Sequence, residues 1–404
     1  SEEQKLFARL GVFVGGCTYQ AVEAVCGDTL NIQIAEGLES LLLKNLTQRQ
    51  ILPDGESRFM MLETMREYAI EKLIEQHELA TVQAKHARYF RSMTDKVAQV
   101  AYGSQEVQWL DRLELEHDNL RAMLDWYLDY DVTAQISLQI IANLARFWEL
   151  KGHLAEGRNW FERARSLPDA NQSSKPHADA LLGIGDIAYI QCDYTRTHEL
   201  YTSALKIYRE LGDELGVAHA LLGLGEVATE VGDYNIAPEL FEEAYTIMKR
   251  FNSTSGCARA LTQLGWGALR VGELDVAHLH LKQGLEAYQM IDDQVGIALT
   301  NSGLGEIAIR NDDYDAAIEF LEASLHLRRQ LGQKWGIAAS LGSLAWVAIK
   351  QQELNHATSL LLQSLQIRYE IGDAGGIAWC LEKFAEISTL LENSEHAVCI
   401  LGCA

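Results

Sequence analysis

Residues 218–257 read AHALLGLGEVATEVGDYNIAPELFEEAYTIMKRFNSTSGC, which is two helices with a joint between them and another after them. Ala218, Leu221, Leu222, Gly225 and Ala228 fall at helical spacing and give one apolar stripe. Gly232-Asp233 ends that stripe, since glycine suits the left-handed position after a helix and aspartate can cap the next one. Ala237, Phe241, Ala244 and Ile247 then share a face of a second helix. The small residues Gly225, Ala237 and Ala244 allow two antiparallel helices to approach closely, with Phe241 filling the gap. Outward from this stretch the pattern returns every 40 residues: Gly216, Gly256, Gly296, Gly336 and Gly376, each followed two residues later by alanine. A fixed period in this range predicts a solenoid, because one unit cannot bury its apolar face without stacked neighbours.

The order of small and large residues resembles the tetratricopeptide repeat. Leu224-Gly225, Leu264-Gly265 and Leu304-Gly305 fall at the seventh and eighth positions of each unit, and the alanine, large apolar, alanine triplet falls in the second helix. The usual unit has about 34 residues. The longer period here, with joints such as Leu211-Gly212-Asp213, is similar to the repeats of the Leu-Gly-Asn type, which bind peptides and protein tails. A looser copy starts near Ala178 and a divergent one near Ala134, while the copy from Gly376 stops at Ala404, inside its expected second helix. The expected fold is all-α: a right-handed superhelix over residues 134–404, preceded by a helical linker over 77–133 and a small winged-helix domain with a β-hairpin over 1–76.

Composition narrows the function. Hydrophobic residues make up 48% of 404, enough for a large core, and only four prolines interrupt a helical chain. The net charge of −23 repels phosphate backbones and argues against nucleic acid as partner of the whole chain. Seven cysteines form no CxxC pair, and no apolar run reaches a membrane-spanning length, so a reduced, cytoplasmic protein is expected. Opening Ser-Glu-Glu without methionine, the chain reads as part of a longer protein.

The winged-helix expectation rests on short helices around Gly15-Gly16, a third helix over 32–46, a hairpin turning at Pro53-Asp54-Gly55, and a helix over 62–74. Helices over 84–100 and 105–130 are expected to bridge to the repeats. A winged helix can read DNA through its third helix. Here that helix carries Glu36 and Glu39 against Lys44. Residues 1–75 hold seven Lys/Arg (5, 9, 44, 49, 58, 66, 72) and twelve Asp/Glu (2, 3, 23, 28, 36, 39, 54, 56, 63, 67, 71, 75).

Three segments carry a second resemblance: Gly11-Val12-Phe13-Val14-Gly15-Gly16-Cys17-Thr18 with Ala21-Val22-Glu23-Ala24-Val25-Cys26, Phe59-Met60-Met61-Leu62-Glu63-Thr64-Met65-Arg66-Glu67-Tyr68-Ala69, and Trp109–Glu114 with Glu116-His117-Asp118-Asn119-Leu120-Arg121-Ala122. They resemble the region after the nucleotide-binding domain of bacterial STAND-type regulatory ATPases. The resemblance implies a winged-helix linker plus a repeat sensor, with the nucleotide-binding domain of the same chain as one partner. No GxxxxGK[ST] occurs, so ATP or ADP and Mg are expected only in that separate domain, with no cofactor here. Relatives carry a Met-His-Asp motif whose histidine meets the nucleotide; Met61-Leu62-Glu63 puts leucine there.

No nucleophile–base pattern, HExxH or GxSxG is present, and the chain is expected not to be an enzyme. Glu116-His117-Asp118 and His278-Leu279-His280 point their side chains apart on helices and do not form metal sites. The resemblance to the tetratricopeptide repeat implies that the first helix of each unit lines the concave face, with its second, fifth, ninth, twelfth and thirteenth residues facing the groove. The ninth-position ladder is Asp186, Glu226, Trp266, Glu306, Trp346, Glu386, and the thirteenth is Ile190, Glu230, Arg270, Arg310, Lys350, Leu390. Arginine can hold a carboxylate through a bidentate fork and tryptophan can stack beside it. Glu226, Trp266, Arg270, Glu306, Arg310, Trp346 and Lys350 are therefore the candidate groove residues for a protein, a peptide or a small anionic ligand. The alternatives are a DNA-binding regulator whose repeats dimerise or sense peptides, and a passive scaffold in which the cations pair with neighbouring acids.

Overall fold

A computed structural model of the protein describes residues 1–52, 55–100, 105–130 and 134–392. Residues 53–54 of the expected hairpin turn and the expected second helix of the last copy lie outside the described residues. The chain divides into two compact units: residues 1–99 with 108–140, and residues 100–107 with 141–404.

In chain order the first unit starts with α1 (Glu2–Leu10), β1 (Cys17–Thr18), α2 (Tyr19–Cys26), α3 (Ile34–Leu43), β2 (Gln48–Ile51), β3 (Ser57–Met60) and α4 (Glu63–Glu75). The Ser1 hydroxyl accepts from the amide of Gln4 and opens α1 with a capping box. Both strand pairs are antiparallel, in the order β1-β3-β2, with Cys17 opposite Phe59 and Arg49 opposite Phe59 on the other edge. Then follow α5 (Leu79–Val100), α6 (Glu106–Leu115) and α7 (His117–Tyr130). The single helix expected over 105–130 is thus two helices, with Glu116 between them. Glu116 is 2% exposed and receives Arg58 of β3 in a fork, Nη1 to Oε1 at 2.7 Å and Nη2 to Oε2 at 3.1 Å. Arg58 also donates to the carbonyls of Gly15 and Gly16 at 3.0 and 3.1 Å. Asn119 joins this buried knot, donating to Gly16 and Glu116 at 2.9 and 2.7 Å and accepting from the amide of Val14 at 2.9 Å. The Gly15-Gly16 pair is needed here. Both have positive φ (73° and 92°), and a Cβ on Gly16 would stand 2.7 Å from the carbonyl of Phe59.

The second unit is a stack of helix pairs: α8 (Ala134–Lys151), α9 (Leu154–Arg165), α10 (Lys175–Ile190), α11 (Tyr194–Leu211), α12 (Glu214–Glu230), α13 (Ile236–Arg250), α14 (Thr254–Val271) and α15 (Leu274–Met290), then α16 (Gln294–Arg310), α17 (Tyr314–Leu331), α18 (Lys334–Lys350), α19 (Leu354–Ile371) and α20 (Ala374–Leu390). The 40-residue period has a local cause. Asp213, Ser253, Asp293 and Asp373 cap the first helix of their units by accepting from the amides of Gly216, Gly256, Gly296 and Gly376, at 3.0, 3.2, 3.0 and 2.8 Å. The glycine itself makes room for the preceding second helix: a Cβ at Gly216 would lie 2.2 Å from the ring of Tyr208, and one at Gly296 2.2 Å from Tyr288. Within a pair, Gly225 faces the ring of Phe241, which is 1% exposed, as the spacing predicts.

The array also coils back on itself. A Cβ on Gly152, after α8, would lie 3.1 Å from Ile371 and 3.3 Å from Lys334, and one on Gly375 would lie 2.6 Å from the Cys192 sulfur. The joints of the first two pairs therefore rest on those of the last two, and the inner face is enclosed along that seam. Among the described residues no helix is long and apolar enough to cross a membrane.

Candidate functional site

The inner face is built by α8, α10, α12, α14, α16, α18 and α20, each presenting its second, sixth, ninth and thirteenth positions. Contacts run from one helix to the next along this face. Glu226, 8% exposed, accepts from Arg259 at 3.0 Å and from Gln263 at 2.6 Å, the second and sixth positions of the next unit. Asp186 accepts the hydroxyl of Tyr201 at 2.7 Å, and burial raises its carboxyl above the usual range. His219, the second residue of the unit that starts at Ala218, is pushed down to about 4 by burial and then by the nearby Arg259 and Lys175, so its ring is neutral near pH 7.

The three cations of the thirteenth-position ladder are placed differently from one another. Arg270 donates to Glu230 at 2.8 Å, one unit back at the same position. Arg310 donates to Glu306 at 2.7 Å and to the carbonyl of Leu269 at 2.6 Å. Lys350 is exposed and has no ion-pair partner among the described residues. Two of the three are therefore held in surface ion pairs, each worth roughly 0–1 kcal/mol. Such pairs fix the guanidinium in place and can be exchanged for a ligand anion at little cost.

Trp266 and Trp346 stand on the same face. Trp266 packs on α16 with its Nε1 buried and without a hydrogen-bond partner. Lys383 lies 5.7 Å from the ring centres of both Trp346 and Trp379, which sandwich its ammonium, and it donates to Glu386 at 2.8 Å. Trp379, Lys383, Arg146, Glu149, Arg259 and Gln263 belong to this face and were not among the sequence candidates. Carrying the 40-residue frame to the second and sixth positions, and back one unit to α8, is the signal that finds them. The face thus carries acids on α10 and α12 (Asp186, Glu226, Glu230), and tryptophans with cations on α14 (Trp266, Arg270), α18 (Trp346, Lys350) and α20 (Trp379, Lys383).

A second concavity of about 450 Å³ opens among α17, α18 and α19, lined by Leu325, Leu344, Val347 and Leu360 with His326 and Arg329 at its rim. Trp346 and Lys350 do not line it.

These features define a tetratricopeptide-repeat superhelix with a chemically graded inner face, and comparison with known proteins agrees. Residues 176–250, 217–290 and 296–370 match the family profile described as tetratricopeptide repeat. A protein of Mycobacterium tuberculosis provisionally named an HTH-type transcriptional regulator is 33% identical over 204 residues, 46% of this chain and 23% of its own length. Among solved structures, the chain is similar to a Signal Transduction ATPase with Numerous Domains (STAND) protein with a tetratricopeptide repeat sensor from Pyrococcus horikoshii, with a TM-score of 0.56 and 14% identity over 98% of this chain and 55% of that one. It is also similar to NprR in complex with its cognate peptide NprX, with a TM-score of 0.57 and 14% identity over 77% of this chain and 87% of that one. A Rap protein complexed with Competence and Sporulation Factor gives a TM-score of 0.55 and 14% identity over 78% of this chain and 96% of that one. The chain spans about a quarter of the curated relative and about half of the archaeal STAND chain.

Proposed function

We propose that this chain is the non-catalytic sensor region of a STAND-type signalling ATPase, in which the groove engages an extended peptide or protein segment bearing an anionic group. The observation that carries the reading is the contrast within each first helix. The packing positions stay Ala, Leu or Gly, while the ninth and thirteenth positions change from acid to tryptophan to cation. Core packing does not require that variation, and a ligand lying along the face would. The fold neighbours whose titles name a bound peptide support it, as does the likeness to a STAND protein with a repeat sensor. In this reading residues 1–76 are a winged helix used for protein contacts, and nucleotide chemistry belongs to a separate domain. Ligand binding shifts the population between packings of the array and that domain, which requires unequal affinity for the two.

A selection of random peptides on the purified chain tests the groove. Enriched peptides should carry a carboxylate beside a bulky apolar residue. Arg270→Glu with Arg310→Glu should lower their affinity at least tenfold and leave the melting temperature nearly unchanged. Equal affinity in the double variant, or loss of binding through unfolding, would sink the reading.

A second reading, a transcriptional output, is favoured by the name of the mycobacterial relative. Direct DNA reading by α3 is opposed by its charges, since its neighbour Lys44 is bound by Glu3 at 2.6 and 2.7 Å. Gel-shift assays at low salt should show no retardation by residues 1–76 presented in the whole chain. Salt-sensitive binding would favour the DNA reading.

A further inference from the structure

The head of the groove already holds a carboxylate, and it comes from the chain itself. Arg146 of α8 stands 40 residues before Asp186 and takes the ninth place of the first pair. Its guanidinium grips Glu106 in a fork, Nε to Oε1 at 2.5 Å and Nη2 to Oε2 at 3.1 Å. The pair is well shielded, with side-chain exposures of 19% and 5%. Glu106 lies in the first turn of α6 and belongs to the same compact unit as the array. Around the fork stand Glu149, Asp186, Arg259 and Asp293, each near enough to influence its neighbours' ionisation. Glu149 stands one turn along α8 from Arg146. Burial pushes its carboxyl up to about 7, against the pull of Arg146 and Arg259 and with the push of Asp186 and Glu106.

We propose that Arg146 is a carboxylate-recognition position of the groove, and that Glu106 is a built-in competitor which the ligand's own carboxylate displaces. The physical reason is compensation. A buried guanidinium stripped of its partner is strongly destabilising, so Arg146 must be satisfied in every state. An incoming carboxylate in the same fork keeps the charge count constant, and the exchange then costs only the ordering of the ligand. A ligand anchored near Lys350 and Lys383 would thereby release Glu106 and with it the first turn of α6, which gives the sensor a mechanical output. The inference rests on the groove reading above and names the chemistry at one end of it. An acidic side chain and a peptide C-terminus could each supply the group.

The test uses the whole chain and a fluorescent, N-acetylated peptide copying residues 103–110, GSQEVQWL, whose only side-chain carboxylate is that of Glu106. Three forms are titrated: the amide, the amide with Glu replaced by Gln, and the Gln form with a free C-terminus. Glu106→Gln in the protein should tighten binding of the Glu amide at least tenfold over wild type, and adding Arg146→Gln should abolish the gain. The carboxylate-free amide should not bind. Binding of the free-acid form would assign a chain terminus as an equal source, and its failure would assign a side chain. In the Glu106→Gln protein the affinity should fall as pH rises through 7, because ionised Glu149 then competes for Arg146, and Glu149→Gln should remove that dependence. Should Glu106→Gln unfold the chain, Glu106→Asp keeps the charge on a shorter arm and should give an intermediate gain. Equal affinity in wild type and variant, or equal binding of the carboxylate-free amide, overturns the proposal. If selected groove peptides still lose affinity in Arg270→Glu with Arg310→Glu, the groove reading survives that failure.

Discussion

Gln333→Asp should stabilise the repeat array. At the joint before α20, Asp373 performs two tasks: Oδ1 accepts the amide of Gly376 at 2.8 Å, and Oδ2 pairs with the guanidinium of Arg368. Forty residues earlier the arginine is retained as Arg328 but glutamine occupies the capping place. The consequences are visible. Helix α18 has no side-chain cap, and Arg328, 3% exposed, donates only to the carbonyl of Gly336 at 2.7 Å and to Ser340 at 3.1 Å. The Nε of Arg328 and the Oε1 of Gln333 both lack partners, and burial pulls the guanidinium down to about 10. A carboxylate there regains the cap, about 1 kcal/mol, and a charged hydrogen bond to Arg328, about 1.5–3 kcal/mol before its own desolvation. A net gain of roughly 1–3 kcal/mol is expected, which corresponds to several degrees in Tm at about 2–4 °C per kcal/mol for 150–250 residues. The new carboxylate would titrate below its unfolded value, so its contribution is present above about pH 4 and is lost as pH falls through its folded pKa. Thermal scans at pH 7.5 and pH 3.5, with hydrogen exchange over α17 and α18, measure both. Unchanged stability at pH 7.5, or an equal gain from Gln333→Ala, would refute the reasoning.

Three further outcomes follow from the packing. Arg58→Met, which leaves Glu116 buried without its cation, should cost about 3–5 kcal/mol, while Arg58→Met with Glu116→Leu should recover much of it in a double-mutant cycle. His86 is buried against Phe13 and Phe90, and its ring is pushed down to about 4 by burial. Its folded pKa lies below the unfolded 6.5, so it contributes stability above that value that is lost as pH falls toward 4; the slope of unfolding free energy against pH in that window should shrink in His86→Gln. Gly375→Cys should form a disulfide with Cys192 under mild oxidation, visible as altered mobility on non-reducing gels, because a Cβ there would stand 2.6 Å from the Cys192 sulfur. Failure to crosslink would mean that the array does not close along that seam.

Most of the array was legible because its rules are local. The Asp-x-x-Gly joints carry their own hydrogen bonds, and Leu-Gly facing a large residue of the second helix follows from spacing within one unit. What was hidden depended on residues far apart in sequence. The buried pairing of Glu116 with Arg58 spans 58 positions and leaves no local mark in the sequence. Pairing of Arg270 and Arg310 with neighbouring acids was one of the alternatives the sequence left open, but that Arg270 would meet Glu230, 40 residues away, showed only once the helices stack. Arg146 escaped notice because α8 diverges from the repeat, and only its joint Gly152-His153-Leu154, aligned with Cys192-Asp193-Tyr194, restores the frame.

The position of a bound peptide tests the groove most directly. A photoreactive phenylalanine analogue replaces Trp346 on the inner face or, in a second protein, His326 at the rim of the concavity among α17, α18 and α19. A peptide selected on the wild-type chain should crosslink from position 346 and not from 326. Crosslinking from position 326 alone, with none from 346, would contradict the groove as the binding site.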